Sequence, residues 1–156
     1  MTTLAVDIGG ASIKMLVLDE EGQLSSEPLR RPTPEDPIPD ALITLIDDMA
    51  GTLPPHQRVS VGFPGVVKDG VTMNAPNLGD ELWAGVPLSE LLSQKLERPV
   101  RAVNDVDLQG LGVTRGDGVE MVVTLGTGMG AALFVGGTLV PNLELGHHPW
   151  RDGDSY

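Results

Sequence analysis

The chain has 156 residues, and ten Lys and Arg against 22 Asp and Glu give a formal net charge of −12. This length fits about one domain, and the acidic balance argues against nucleic acid or an anionic membrane as a partner. The 40% hydrophobic content supports a packed core, and the absence of cysteine excludes disulfides, cysteine nucleophiles and cysteine-ligated zinc.

The N-terminus predicts neither a signal peptide nor a membrane span. No basic region precedes its apolar run, and the acidic Asp7 follows. No stretch approaches the ~18 consecutive apolar residues of a membrane helix. Together with the missing cysteines, which are compatible with a reducing compartment, these features favour a cytoplasmic protein.

Short apolar runs bounded by turn residues predict strands along the whole chain. In chain order they cover 4–8, 13–18, 24–29, 59–63, 99–103, 121–125 and 131–135. Helices are predicted between them, opening at Asp40, at Ser89 and at Asp105 or Asp107. A proline-rich surface loop at 31–39 precedes the first helix. Strands alternating with helices predict an α/β fold, and the hairpin-linked strands at its start predict a mixed sheet.

Two glycine turns echo each other along the chain. Shifting the sequence by 117 residues places Asp7–Ala11 on Thr124–Gly128, and each segment reads as strand, small-residue turn and strand. Chance similarity between two glycine hairpins is one interpretation. The other is a pair of phosphate-binding hairpins facing one cleft, because glycine permits φ > 0 and has no side chain, so that backbone N–H groups can close on phosphate oxygens. Neither turn is a Walker A loop, which would need Gly-Lys-Ser/Thr and a following helix.

Four motifs, in order along residues 4–148, resemble those of the ROK sugar kinases, a family of the actin-like ATPase superfamily. Segment 7–14 (DIGGASIK) is similar to the first phosphate motif of that family, and 124–130 (TLGTGMG) to the second. Asn104-Asp105 is similar to its sugar-binding Asn and catalytic Asp, and 144–147 (ELGH) to its Glu-x-Gly-His sugar signature. The missing cysteines and the tail 148–151 (HPWR) resemble polyphosphate-glucokinase-like members, which lack the zinc motif.

The resemblance implies an α/β fold of the actin-like ATPase (ribonuclease-H-like) type. Residues 1–115 would form an N-terminal lobe with a mixed sheet, and 116–156 would supply the first strands of a second, incomplete lobe. The implied activity is transfer of a phosphoryl group from ATP or polyphosphate to a hexose hydroxyl, with glucose O6 as the expected acceptor. Mg²⁺ is the implied cofactor.

Asp105 is the predicted catalytic base. A kinase acting on a sugar hydroxyl needs a carboxylate within hydrogen-bond reach to orient the hydroxyl and accept its proton. Asp105 follows a strand and opens a helix, which is where the sites of α/β proteins gather. By spacing alone the residue also fits an ordinary helix N-cap, and it is the resemblance that favours catalysis. Asp107 is interpreted as a complement to the helix dipole in the first turn.

The resemblance assigns a phosphate-binding role to both glycine turns. The residues concerned are Asp7, Gly9, Gly10, Lys14, Gly126, Thr127 and Gly128. Asp7 is implied to lie near Mg²⁺ and to contact it through water, so no direct protein ligand to the metal is expected. A strand-end carboxylate that caps its own turn is the alternative for Asp7, and a solvent-facing strand residue is the alternative for Lys14.

The resemblance also implies a set of sugar-binding residues: Asn104, Glu144, His147, Gly65 and Asn77. Glu144 and His147 can take two sugar hydroxyls, and an Asn amide can both donate and accept. A metal site built from Glu144, His147 and His148 is the rival interpretation, although no further ligand is visible. Ordinary turn chemistry is the alternative for Gly65 and Asn77, whose loop is followed by Trp83, as is common in the family.

Two lobes of this family need roughly twice the present length, so the resemblance implies that most of the second lobe lies outside the sequence. A catalytically inactive sugar-binding fragment or module is therefore the alternative function. Apolar surface that the rest of the lobe would cover predicts self-association into a homo-oligomer. A sugar-responsive repressor would need a helix-turn-helix before the first strand, and only three residues precede it. The sequence does not choose between ATP and polyphosphate or fix the hexose.

Overall fold

The computed structural model describes residues 1–125 and 128–145. The chain divides into two compact units, Met1–Val103 and Asn104–Tyr156. Strands alternate with helices along it, and the main sheet contains both parallel and antiparallel pairs. The predicted α/β class with a mixed sheet is therefore confirmed. The predicted lobe boundary after residue 115 stays a prediction. The two compact units meet between Val103 and Asn104 in the sequence.

The elements are named in chain order over the described residues. They are β1 (Thr3–Ile8), β2 (Ser12–Leu18), β3 (Leu29–Pro32), α1 (Pro39–Ala50), β4 (Arg58–Phe63), β5 (Val67–Lys68), β6 (Val71–Thr72), α2 (Asp80–Trp83), α3 (Leu88–Leu96), β7 (Val100–Asn104), α4 (Asp105–Val113), β8 (Val119–Leu125), β9 (Met129–Val135) and β10 (Thr138–Val140). Within these ranges, no helix is both long and apolar enough to cross a membrane.

A five-stranded sheet in the order β3-β2-β1-β4-β7 forms the centre of the first unit. β1 pairs antiparallel with β2 and parallel with β4, and β2 pairs antiparallel with β3. Because side chains alternate along a strand, Leu4, Val6 and Ile8 of β1 share one face, and all three are buried. They join one hydrophobic core with residues of α1 and α3, such as Leu42 and Leu92. This core fixes the ends of β1 and β4, where the predicted phosphate and sugar loops begin.

Some element boundaries differ from the sequence prediction. The predicted strand at 24–29 is wrong, because β3 begins at Leu29 and Leu24 forms only an isolated bridge with Leu18. Asp40 does not cap α1, which begins at Pro39, a residue whose fixed φ suits the first helical position. Ser89 does not cap α3 either. It lies inside the helix, and its hydroxyl accepts the Ala102 N–H at 3.2 Å.

The second unit contains α4 and an antiparallel sheet in the order β10-β9-β8. α4 packs against β8 and β9, where Ala132 and Phe134 are fully buried. Gly110 of α4 lies so close to the sheet that an added Cβ would meet the Phe134 ring at 2.6 Å. Glycine at this position therefore allows the helix to approach the sheet.

The other face of this sheet is apolar and exposed. We call it the apolar sheet face, defined by Val119, Met121, Val123, Leu125 and Val135. Val119 lies opposite Val135 in the ladder, and the four β8 residues alternate with side chains that are less exposed. Val119 is 72% exposed and Leu125 is 84% exposed. A contiguous apolar patch of this kind is typical of a surface that another polypeptide covers.

Candidate functional site

The first glycine turn joins β1 to β2 in the first unit. Asp7 and Lys14 are directly opposed in the β1–β2 ladder, and the Lys14 Nζ lies 3.0 Å from the Asp7 Oδ2. Both side chains remain partly exposed to solvent. The two charged residues predicted to act at phosphate therefore form an ion pair at the base of the turn. Because water screens exposed pairs, this contact is weak enough to be exchanged for a ligand.

Gly9 and Gly10 are required by space rather than by φ. Neither has a positive φ, so of the two properties of glycine considered from the sequence, positive φ and the missing side chain, only the second applies to this turn. An added Cβ would instead lie 2.9 Å from the Ser12 carbonyl oxygen at Gly9, and 3.0 Å from the Asn77 Cβ at Gly10. Asn77 thus packs directly on the turn, although the two lie far apart in sequence.

Thr33, the residue after β3, holds the same turn and was not identified from the sequence. Its hydroxyl donates to the Gly9 carbonyl at 2.6 Å, and its N–H donates to the Ala11 carbonyl at 3.2 Å. Two hydrogen bonds from one residue fix the turn relative to the neighbouring strand. A lone Thr in a proline-rich segment carries no periodic signal that could have predicted this role.

Gly65 belongs to a second loop cluster of the first unit. The Asn74 Oδ1 accepts the Val66 N–H at 2.8 Å, and the Met73 N–H donates to the Val66 carbonyl at the same distance. A Cβ at Gly65 would overlap the backbone carbonyl of Asn74. The β5–β6 hairpin thereby brings the two predicted sugar loops, after β4 and before α2, against each other.

Asn104 caps α4 in the second unit. Its Oδ1 accepts the N–H groups of Val106 at 2.8 Å and Asp107 at 3.1 Å, the geometry of an N-cap. Asp105 is the first helical residue, and one of its carboxylate oxygens accepts the Val106 N–H at 2.8 Å. The prediction that an Asp opens this helix is confirmed for Asp105, but the capping side chain is that of Asn104.

Glu144 lies beside Asn104. The Asn104 Nδ2 donates to the Glu144 Oε1 at 3.2 Å, across 40 positions of sequence. The chain therefore brings together two of the predicted sugar motifs, the Asn-Asp pair and the start of the Glu-x-Gly-His signature. Asn104 and Asp107 are buried, and burial raises the pKa of the Asp107 carboxyl, while the Asn142 N–H acts in the opposite direction.

Part of the predicted site lies outside the described residues, namely Gly126, Thr127 and His147. Gly128 is described, and it precedes β9. Gly130 is the last residue of the motif at 124–130 but was not among the predicted phosphate-binding residues. A Cβ there would overlap the Val106 side chain and lie 2.6 Å from the Thr124 Oγ1, so glycine lets β9 approach the start of α4.

Known proteins are similar to this chain along nearly its whole length. A model of the ROK family matches residues 3–152. A polyphosphate glucokinase of Mycobacterium leprae is 34% identical over 150 residues, which are 91% of this chain and 46% of that protein. An N-acetylmannosamine kinase of Escherichia coli is 34% identical over 147 residues, which are 90% of this chain and 50% of that protein. The chain thus spans about half the length of these curated relatives.

Solved structures of sugar kinases share the fold. The inorganic polyphosphate/ATP-glucomannokinase of Arthrobacter sp. strain KM has a TM-score of 0.87 at 36% identity, over 99% of this chain and 66% of that chain. A ROK family glucokinase of Streptomyces griseus, in complex with glucose and AMPPNP, has a TM-score of 0.79 at 28% identity, over 95% of this chain and 50% of that chain. The fold predicted from the four motifs is thereby confirmed.

Proposed function

Because this chain belongs to the ROK family, we propose that it is the part of a sugar kinase that carries the catalytic base and the first phosphate turn. The reaction transfers a phosphoryl group from ATP or polyphosphate to a hexose hydroxyl, O6 of glucose. The observation that carries this proposal is the hydrogen bond from Asn104 to Glu144, which joins two sugar motifs at the residue preceding Asp105. The relatives named as glucokinases support glucose, and those named as N-acetylmannosamine kinases support the wider hexose class.

Asp105 acts as the general base. The Val106 N–H fixes one carboxylate oxygen at 2.8 Å, and the start of α4 holds the backbone of the residue in place. A carboxylate oriented in this way can accept the proton of a sugar hydroxyl as that oxygen attacks the phosphorus atom. Positioning matters most here, because phosphoryl transfer depends on alignment and on stabilising negative charge.

The glycine turns bind the phosphoryl donor. Gly9 and Gly10 keep the first turn free of side chains, and the Gly9 N–H donates to the Ser12 carbonyl at 3.0 Å, which closes the turn. Gly126, Thr127 and Gly128 supply the second turn. Lys14 stabilises phosphate charge once the donor displaces it from Asp7. The half-exposed Asp7 carboxylate suits Mg²⁺, which prefers oxygen ligands and retains several waters. When bound, Mg²⁺ neutralises charge on the transferring group.

Five residues recognise the hexose in this proposal or shape the loops around it: Asn104, Glu144, His147, Gly65 and Asn77. Glu144 accepts from one hydroxyl while Asn104 holds its carboxylate. Asn77, which packs on Gly10, couples the sugar loop to the phosphate turn. The proposal retains a cytoplasmic location and no nucleic-acid or membrane partner, in keeping with the −12 charge.

A phosphotransferase assay of the purified chain tests this function. With Mg²⁺, glucose and either ATP or polyphosphate, we expect formation of glucose 6-phosphate. A sugar-binding fragment without turnover is the second candidate, supported by a chain that spans about half the length of its relatives. That candidate predicts no product but a glucose-dependent rise in melting temperature. A chain that shows neither product nor stabilisation by any hexose would contradict both.

A second copy of the chain covers the apolar sheet face in solution. Stacking two such faces removes Met121, Val123 and their neighbours from water on both copies. A two-fold arrangement pairs the same surface of each copy, so that neither apolar face stays exposed. We expect sedimentation velocity to show a larger species that grows with protein concentration. Val123→Lys, in the middle of the face, should return the chain to the monomer because it places a charge in the interface.

Val113→Lys is the matched control for self-association. Val113 is also exposed, but it lies at the end of α4, which packs on the opposite side of the sheet. Val113→Lys changes the net charge by the same amount as Val123→Lys, and this variant should sediment like the unmodified chain. A chain that is monomeric at every concentration, or two variants that dissociate equally, would exclude the apolar sheet face as the contact.

A further inference from the structure

Asp107 is a buried charged residue that the proposed chemistry does not use. Its side chain belongs to the first turn of α4 and is only 3% exposed. A carboxylate removed from water in this way is unfavourable unless a donor compensates it. The donor is the backbone N–H of Asn142, 3.4 Å from the Asp107 Oδ2 and 35 positions away in sequence.

The segment that Asp107 contacts has an unusual backbone. Asn142 has φ of 57° and Glu144 has φ of 47°, both in the left-handed region that residues with a side chain rarely adopt. Such conformations persist only where the surrounding structure holds them. The segment follows β10, and among the described residues it contacts the first turn of α4 through both Asn142 and Glu144.

One helical turn contacts this segment at two points. Asn104 and Asp107 are three residues apart, a spacing that places two side chains on the same side of a helix start. The Asn104 amide donates to the Glu144 carboxylate, and the Asp107 carboxylate accepts the Asn142 N–H. Asn104 in turn accepts the Asp107 N–H, so the two contacts are connected.

We propose that Asp107 is a positioning residue: by holding the Asn142 N–H, it keeps the 142–144 segment in its left-handed conformation and the Glu144 carboxylate against Asn104. Asp107 does not touch the sugar. It acts through Glu144, and this part of the inference depends on the proposed function. The effect of Asp107 on the backbone of the 142–144 segment does not depend on the proposed function.

Amide hydrogen exchange tests the backbone part of the inference. In Asp107→Ala, exchange at Asn142 and its neighbours should rise at least about tenfold, since the acceptor is gone, while amides in β8 and β9 stay protected. Asp107→Asn retains a carbonyl oxygen and should restore protection. Asp117→Ala, an exposed aspartate of the same unit, should exchange like the unmodified chain.

Glucose affinity tests the positioning role. Asp107→Ala should weaken glucose binding about tenfold without changing the donor KM, and Asp107→Asn should bind nearly as well as the unmodified chain. Unchanged Asn142 exchange in Asp107→Ala would overturn the inference, even where glucose is bound and phosphorylated. If the β8 and β9 amides also lose protection in Asp107→Ala, that variant has unfolded and Asp107→Asn becomes the test. Loss of protection at Asn142 in Asp107→Asn would then overturn the inference. If the unmodified chain binds no hexose, the proposed function fails, and the exchange result still decides the role of Asp107 in the backbone.

Discussion

Replacing Asp105 with asparagine is expected to lower kcat for hexose phosphorylation by about 10²–10⁴-fold, the range that general base catalysis supplies. The amide has nearly the same shape, and its oxygen can still accept the Val106 N–H that now lies at 2.8 Å. It cannot accept the proton of the sugar hydroxyl. The rate should therefore fall while the melting temperature changes little. Initial rates at saturating glucose and donor measure the effect.

The same substitution separates catalysis from helix capping. Asn104 already provides the N-cap hydrogen bonds of α4, so Asp105 contributes little as a cap. A purely structural Asp105 would leave kcat unchanged in Asp105→Asn. Asp117→Asn, on the exposed turn before β8, controls for the loss of one negative charge and should retain full activity. Full turnover by Asp105→Asn would remove the residue from the mechanism.

Replacing Trp83 with alanine is expected to lower the free energy of unfolding of the first unit by about 3–5 kcal/mol. Trp83 is 0% exposed, and its ring centroid lies 5.0 Å from that of Phe63. Its Nε1–H donates to the Pro37 carbonyl at 2.9 Å, and its own carbonyl accepts the Thr72 hydroxyl. Alanine removes the packing and leaves the Pro37 carbonyl without this donor.

Urea unfolding followed by circular dichroism measures this loss. Trp83→Phe keeps most of the apolar surface but not the hydrogen bond, and should cost about 1–2 kcal/mol. Leu82→Ala, at the neighbouring position whose side chain is 47% exposed, should change stability much less, by about 0.5–1 kcal/mol. Equal midpoints for Trp83→Ala and Leu82→Ala would show that the tryptophan does not hold the proline-rich segment to the core.

Local sequence patterns predicted the elements whose stability depends on apolar runs. β1, β2 and β4 lie within one residue of their predicted positions, because alternating buried side chains specify a strand wherever one face is covered. Helix starts were predicted less well. Asp40 and Ser89 are good cap residues, yet Pro39 and Leu88 begin the helices, because packing against the sheet outweighs a single capping hydrogen bond.

The first glycine turn also has one feature that local sequence predicted and one that packing decided. The sequence predicted the position of the first turn, but of the two reasons it offered for glycine, positive φ does not apply at Gly9 or Gly10 and the missing side chain does. At Gly9 and Gly10 the requirement is space, set by Ser12 and by Asn77 from a distant loop. No local pattern contains that information, because the crowding atoms at Gly10 belong to a segment more than 60 positions away.

By itself the sequence determined the α/β class and the order of the motifs, since both depend on residue type and short spacing. Through its resemblance to the ROK family it also predicted the residues proposed to carry chemistry. Only the tertiary structure decided how those residues are held. It placed Asn104 against Glu144, buried Asp107 under the Asn142 N–H, fixed the first turn through Thr33 and left the apolar sheet face exposed. These contacts join positions 24 to 40 residues apart, and their energies depend on the geometry of the packed chain, which local sequence does not encode.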